Sequence, residues 1–324
     1  MLQDDIFKIT TDQEFEKVAL QVFGYQHEHC APYKEFCDYL AKSPANVKQL
    51  KDIPFLPIEL FRTHRVLSDQ KTAATVFGSS GTTASATSKH HVASLEVYQQ
   101  SFIKGFEAVY GAIEHLVVIG LLPSYLERND SSLVYMVDRL IAMSGRSMSG
   151  FYLDDYVGLN KTLERLELAK QPFVLFGVTF ALLDFIKDFP QQLRYGAVIE
   201  TGGMKGMRKE MIRSELHEVL SKGFGLQTIH SEYGMTELLS QAYATAHGIF
   251  HCPPWMRVFT RELNDPLQLI EGKTGGISII DLANLYSCSF IATQDLGKKI
   301  SSHSFEILGR FDHSDLRGCN LMVL

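Results

Sequence analysis

The stretch FGSSGTTASATSKH, Phe77 to His90, follows a short β-rich run at Ala73–Phe77 and precedes a helical pattern. Gly78 and Gly81 leave its backbone free to curl, and Ser79, Ser80, Thr82, Thr83, Ser85, Thr87 and Ser88 line it with hydroxyls. Lys89 adds one cation, and His90 sits at the edge of the loop. N–H and O–H groups on such a loop can wrap polyphosphate oxygens. The spacing is not that of a Walker A loop, which needs Gly-x4-Gly-Lys-Ser/Thr. A solvated Ser/Thr linker is the competing reading of the same residues.

Further along, HSEYGMTELLSQ spans His230 to Gln241 and follows a candidate strand, Gln227–His230. Tyr233 offers an aromatic face for a purine, Thr236 a hydroxyl for a phosphate, and Glu237 a hard carboxylate for Mg²⁺. The alternative is a turn at Tyr233-Gly234, with Glu237 opening a helix as a favourable N-terminal charge.

The apolar period around these segments keeps switching. Candidate strands at Leu116–Gly120, Phe173–Val178 and Ala197–Thr201 alternate with amphipathic patterns at Val92–Tyr110, Ser132–Met143, Leu159–Ala169 and Lys209–Lys222, the last with Gly223 as C-cap. Such alternation predicts a mostly parallel sheet with flanking helices. Ahead of it, Thr11-Asp12-Gln13-Glu14 forms a capping box for a helix burying Phe15, Val18, Ala19, Val22 and Phe23, and Tyr33 to Leu50 also reads as helical. After Ala242 the helices thin out, and Gly275–Asp281, Ser289–Thr293 and Phe305–Leu308 read as short strands. The expected division is a helical region at 1–70, an α/β core at 71–242, and a β-rich subdomain with a C-terminal hinge and tail at 243–324.

With 324 residues, 45% of them hydrophobic, the chain can bury a full core. Its net charge of −6 comes without a basic stripe, which argues against nucleic acid as a partner. The longest apolar runs, Leu116 to Pro123 and Phe173 to Leu183, are too short for a membrane span, which needs roughly 20 residues. The first residues carry no apolar signal region, and the five cysteines, Cys30, Cys37, Cys252, Cys288 and Cys319, are odd in number and irregularly spaced. A cytoplasmic protein with free thiols is expected.

Taken together and in order, the two motifs resemble the adenylate-forming superfamily, which includes acyl-CoA synthetases and peptide-synthetase adenylation domains. There a Ser/Thr/Gly-rich loop holds the pyrophosphate end of ATP, which carries over to Ser79, Ser80, Gly81, Thr82, Thr83, Ser88 and Lys89. A later Y-G-x-T-E motif meets adenine, α-phosphate and Mg²⁺, implicating Tyr233, Gly234, Met235, Thr236 and Glu237. ETGGMKG, Glu200 to Gly206, occupies the place of the adenine-pocket segment and brings in Gly202 and Gly203. ATQDLGK resembles the T-G-D-x-G motif, with Asp295 on the ribose hydroxyls, and LGRFDHSDLRGCNL resembles the G-R-x-D hinge, giving Arg310 and Asp312. The resemblance runs from about Thr75 to the C-terminus.

The S-S-G-T-T loop, the PPWMRV segment after YGMTELLSQ, and the ending after R-G-C are similar to the LuxE-like acyl-protein synthetases (long-chain-fatty-acid–luciferin-component ligases). That branch implies an α/β adenylate-forming N-terminal domain, a small β-rich subdomain, and no mobile C-terminal domain. It implies that ATP and Mg²⁺ activate a fatty acid, that Cys319 accepts the acyl group, and that an acyl-donor or acyl-reductase protein is a partner. Coenzyme A or a carrier-protein thiol is the alternative acceptor, and a non-catalytic nucleotide- or acyl-binding subunit is the alternative of another class. The sequence departs from the pattern at Ala84 and Gln294, where glycines are usual, and no lysine follows Lys299.

Overall fold

The computed structural model describes residues 2–79, 87–122, 130–202 and 211–311. In chain order the strands are β1 (Leu56–Pro57), β2 (Thr75–Gly78), β3 (Lys89–Val92), β4 (Val117–Leu121), β5 (Gly150–Phe151), β6 (Phe173–Val178), β7 (Gly196–Thr201) and β8 (His230–Tyr233). They continue as β9 (Ala242–Ala244), β10 (Ile249–His251), β11 (Met256–Arg261), β12 (Leu269–Ile270), β13 (Gly275–Asp281), β14 (Phe290–Lys299) and β15 (Ser304–Arg310). The helices are α1 (Leu2–Ile6), α2 (Asp12–His29), α3 (Ala31–Tyr39), α4 (Leu60–Thr63), α5 (Leu95–Tyr110), α6 (Ser132–Ser144), α7 (Tyr156–Ala169), α8 (Thr179–Asp188) and α9 (Arg213–Phe224). Among the described residues, no helix is long and apolar enough to cross a membrane.

The chain forms two compact units. The first comprises Met1–Ser101, Met235–Ser240 and His251–Leu324; the second comprises Phe102–Gly234 and Gln241–Phe250. These bounds cross the sequence segments 1–70, 71–242 and 243–324, because the N-terminal helices and the late strands pack as one body.

In the second unit, β4 pairs in parallel with β5 and β6, β6 with β7, and β7 with β8. β8 then pairs antiparallel with β9. Every residue of β4 (VVIGL) and β6 (FVLFGV) is buried, as expected of parallel strands covered on both faces. α6, α7, α8 and α9 lie in the intervals between successive strands, the spacing that parallel pairing demands. α9 ends two residues later than the sequence indicates. Its left-handed C-cap is Gly225 at φ +68°, while Gly223 lies inside the helix, where a Cβ would collide with Ile186 of α8.

In the first unit, β11, β13, β14 and β15 form an antiparallel meander, and β12 pairs with β11. β1 joins it in parallel, opposite Ile291 and Ala292 of β14, on the stretch of edge that β15 does not reach. The capping box at α2 is present: Thr11 Oγ1 accepts from Glu14 N–H at 3.2 Å, and Glu14 Oε2 accepts from Thr11 N–H at 3.1 Å. Phe15, Val18, Ala19, Val22 and Phe23 are buried along that helix. Gln26 ties it to the late strands, donating to the Asn284 and Leu285 carbonyls and accepting from Ser289 N–H. The helix expected to run from Tyr33 to Leu50 stops at Tyr39. Ala41 takes a left-handed φ of +52°, and Pro44 biases Ser43 away from helical geometry.

β2 and β3 make a separate antiparallel hairpin with Phe77 opposite His90 and Gly78 opposite Lys89. β3 stands where the sequence pattern predicts the loop leading directly into a helix, because four residues containing two histidines and a lysine carry too little β signal.

Candidate functional site

Two groups of polar side chains stand at the ends of these elements, one in each unit. In the first, the neck of the hairpin is closed by Ser79 and Ser88: Ser79 N–H donates to the Ser88 carbonyl at 3.1 Å, and Ser88 N–H donates to Ser79 Oγ at 3.0 Å. Lys89 is exposed. Met235 to Ser240 forms a turn rather than a helix, so Glu237 is not a helix-opening charge. Glu237 is 6% exposed. Burial pushes its carboxyl up, while a hydrogen bond from the Ser88 side chain and the positive charges of Arg310 and Arg62 favour ionisation.

Asp281 secures the turn from beneath. Fully buried, its Oδ2 accepts from Leu239 N–H at 2.8 Å and Ser240 N–H at 3.0 Å, and its Oδ1 accepts from Ser240 Oγ at 2.5 Å. Asn284 Nδ2 donates to the Glu237 carbonyl at 2.9 Å. Trp255 Nε1 donates to Ser240 Oγ at 2.9 Å and to Ser101 Oγ at 3.0 Å. His90 Nδ1 lies 2.8 Å from the Thr236 carbonyl oxygen and must be the donor, since a carbonyl offers no proton. The stem of the hydroxyl-rich hairpin and the acidic turn are therefore in contact.

Asp295 of β14 stands opposite Arg310 of β15, and Arg310 Nε reaches Asp295 Oδ1 at 3.2 Å. Arg310 thus acts on two of the residues singled out by sequence, pairing with Asp295 and favouring a charged Glu237. Trp255 and Arg257 are both buried within this unit.

In the second unit, exposed Gly202 follows β7 at φ +78°, and its carbonyl accepts from Thr179 Oγ1 at 2.8 Å. Tyr233 ends β8 with its ring 5.6 Å from that of Phe250. Between them lies a carboxylate pair that the sequence reading passes over. Glu200 accepts from Thr179 Oγ1 at 2.6 Å, and Glu232 accepts from Thr201 Oγ1 at 2.7 Å. Burial pushes both carboxyls up, Glu232 to about 7, with the charge of Glu200 adding to the effect. Gly234 leaves room for this arrangement, because a Cβ there would collide with Glu232 Oε1.

Ser80, Gly81, Thr82, Thr83, Gly203, Asp312 and Cys319 lie outside the described residues. Among the described residues, no group of three His, Cys, Asp or Glu side chains is placed to hold a metal. A lone carboxylate such as Glu237 suits a hard cation that takes its remaining oxygens from phosphates and water.

A family model described as acyl-protein synthetase, LuxE, matches residues 2–324. The chain belongs to this family. A relative of this LuxE-family chain is the long-chain-fatty-acid–luciferin-component ligase of Aliivibrio fischeri, 24% identical over 362 residues, with 99% of this chain and 93% of that one covered. Among solved structures, ATP-bound MatB from Rhodopseudomonas palustris matches with a TM-score of 0.57 at 15% identity, covering 74% of this chain and 48% of that one. O-succinylbenzoate coenzyme A synthetase (MenE) from Bacillus subtilis, in complex with ATP and magnesium ion, matches with a TM-score of 0.51 at 15% identity, covering 74% and 50%. The LuxE-family chain therefore spans about half the length of the solved structures it resembles. At these identities the likeness shows the fold, the α/β fold of adenylate-forming ligases.

Proposed function

We propose that this chain uses ATP and Mg²⁺ to convert a fatty acid into an acyl-adenylate, then passes the acyl group to the thiol of Cys319. The observation that carries the reading is the contact between hairpin stem and acidic turn, through Ser88 to Glu237 and His90 to Thr236. It brings the hydroxyl-bearing stem of the hairpin, at Ser88, and a hard carboxylate together, and a polyphosphate with its cation needs donors and a carboxylate of these kinds.

A carboxylate oxygen attacks the α-phosphorus of ATP, the bond to the β-phosphate oxygen breaks, and pyrophosphate leaves. The barrier is largely charge repulsion, so positioning and neutralisation carry the catalysis. The loop from Ser79 to Lys89 binds the leaving pyrophosphate, and Thr236 orients the α-phosphate. Magnesium bound at Glu237 would supply positive charge to the departing oxygens. Tyr233, Gly202 and Gly203 receive the adenine, Gly234 and Met235 continue the motif, and Asp295 receives the ribose hydroxyls. A thiolate then attacks the acyl carbon, AMP leaves, and a thioester forms.

Cys319 as acceptor draws support from the other four thiols. Cys30, Cys37 and Cys288 are fully buried, and burial pushes Cys30 to about 11, Cys37 and Cys252 to about 12, and Cys288 well above its ordinary value. None holds a useful thiolate fraction near neutrality. An acyl-donor or acyl-reductase protein is the partner this reading gives.

The test is acid-dependent exchange of labelled pyrophosphate into ATP, followed by hydroxylamine-labile acylation of the chain. Cys319→Ser should keep exchange and lose self-acylation. Retained self-acylation assigns the acceptor elsewhere, and tight ATP binding without exchange removes the catalytic reading. Acylation of added coenzyme A by Cys319→Ser would favour direct transfer to a free thiol.

A further inference from the structure

The geometry points to His90 as a positioning residue that sets the spacing between Ser88, at the base of the hairpin, and the Glu237 carboxylate. The inference rests on the role proposed above for Glu237. His90 is wholly buried on β3, opposite Phe77 and with its ring edge-on to Phe61 at 5.6 Å. An imidazole in such surroundings must satisfy both nitrogens, and this one does so by bridging two elements distant in sequence. Nδ1 donates to the Thr236 carbonyl at 2.8 Å, and Nε2, as the acceptor of a neutral ring, lies 3.0 Å from Ser287 Oγ.

The acidic turn is held a second time from the same region, where Asn284 Nδ2 donates to the Glu237 carbonyl. The peptide group joining Thr236 to Glu237 is therefore held on both sides: its own oxygen by His90, and the next carbonyl by Asn284. Two residues before His90 on the same limb, the Ser88 side chain hydrogen-bonds to the Glu237 carboxylate. Alternate residues of one extended segment point the same way, so Ser88 and His90 grip the turn as a pair. Ser88 contacts the carboxylate itself, and His90 holds the backbone that carries it. A shift of β3 along its axis would break both contacts together.

The nitrogen geometry supplies the experiment. An asparagine at this position places its amide near Nδ1, and a glutamine places its amide near Nε2. His90→Asn can keep the Thr236 contact and lose that to Ser287; His90→Gln does the reverse. The measurement is Mg²⁺ dependence of pyrophosphate–ATP exchange with hexadecanoate, alongside hydrogen exchange at the Leu238, Leu239 and Ser240 amides. His90→Gln should raise the Mg²⁺ concentration for half-maximal exchange about tenfold, the effect of one lost buried hydrogen bond. It should also speed amide exchange in the turn about tenfold, with His90→Asn close to wild type in both. Equal behaviour of the two variants, or a fall in melting temperature with both readouts unmoved, overturns the inference. If wild-type protein shows no pyrophosphate exchange, the proposed function fails while the amide arm still decides the positioning role. Should His90→Gln not fold, Ser287→Ala removes the contact that His90→Asn also loses while leaving the Thr236 contact in place, so turn exchange should stay close to wild type; exchange about tenfold faster overturns the inference.

Discussion

Replacing Glu232 by glutamine should flatten the alkaline side of the stability profile. The folded carboxyl titrates at about 7, against 4.5 for an ordinary glutamate, because burial and the neighbouring Glu200 oppose its charge. At about 1.4 kcal/mol per pH unit, that gap is worth about 3 kcal/mol. Glu232 is half-buried, so solvent screening makes this an upper figure. The sign follows from linkage. The unfolded chain gives up the proton more easily, so the contribution is fully present below pH 4.5 and is lost as pH rises through about 7. Glutamine keeps an oxygen to accept from Thr201 Oγ1, 2.7 Å from the present carboxylate, and has no proton to lose. Urea unfolding of both proteins from pH 4.5 to about 8 gives the difference directly. Wild type should lose up to about 3 kcal/mol more than the variant across that range. Parallel curves would show that Glu232 is not held in its protonated form, and the account of the Glu200–Glu232 pair would fail.

Asp281→Asn places an amide against the Leu239 and Ser240 N–H donors, so stability should fall by on the order of 3 kcal/mol. An unchanged urea midpoint would mean the turn is not secured there. Gly234→Ala drives a Cβ into Glu232 Oε1 and should cost about 1–3 kcal/mol while reducing the alkaline loss just described; a variant as stable as wild type, with the same pH profile, contradicts the packing. Iodoacetamide at neutral pH should leave Cys30, Cys37 and Cys288 unmodified in the native protein and alkylate all three in urea, since burial keeps them protonated. Rapid native labelling of Cys288, read by peptide mass spectrometry, would refute this.

Much of the second unit is legible in its sequence because buried parallel strands announce themselves. VVIGL and FVLFGV are unbroken apolar runs between helical patterns, and β4 and β6 fall within a residue of the expected spans. β8 lies further along than expected, at His230–Tyr233, since its pairing with Ile199 to Thr201 of β7 sets the register, and HSEY shows little apolar alternation. The family resemblance, carried by four short motifs, agrees with the match over residues 2–324. The supports of the acidic turn were far less visible. Asp281 closes the apolar strand GGISIID, and a terminal aspartate there looks like an exposed strand end, whereas it is fully buried under the turn. His90 lies 146 residues from Thr236, a separation at which no local pattern reports contact. Glu232 and Glu200 depend on a parallel register between β7 and β8, which spacing along the chain does not encode.

The pairing of β1 with β14 has a consequence for synthesis. Leu56 and Pro57 leave the ribosome more than two hundred residues before Ile291 and Ala292, the backbone they pair with. The stretch Phe102–Gly234 supplies nearly all of the second unit without interruption and can begin to organise while translation continues. The opening hundred residues must wait, with Phe23 and Tyr33 uncovered until Phe290 arrives to pack against them. Nascent chains halted after residue 250 should therefore carry a protease-resistant middle and a cleavable N-terminal arm that attracts chaperones.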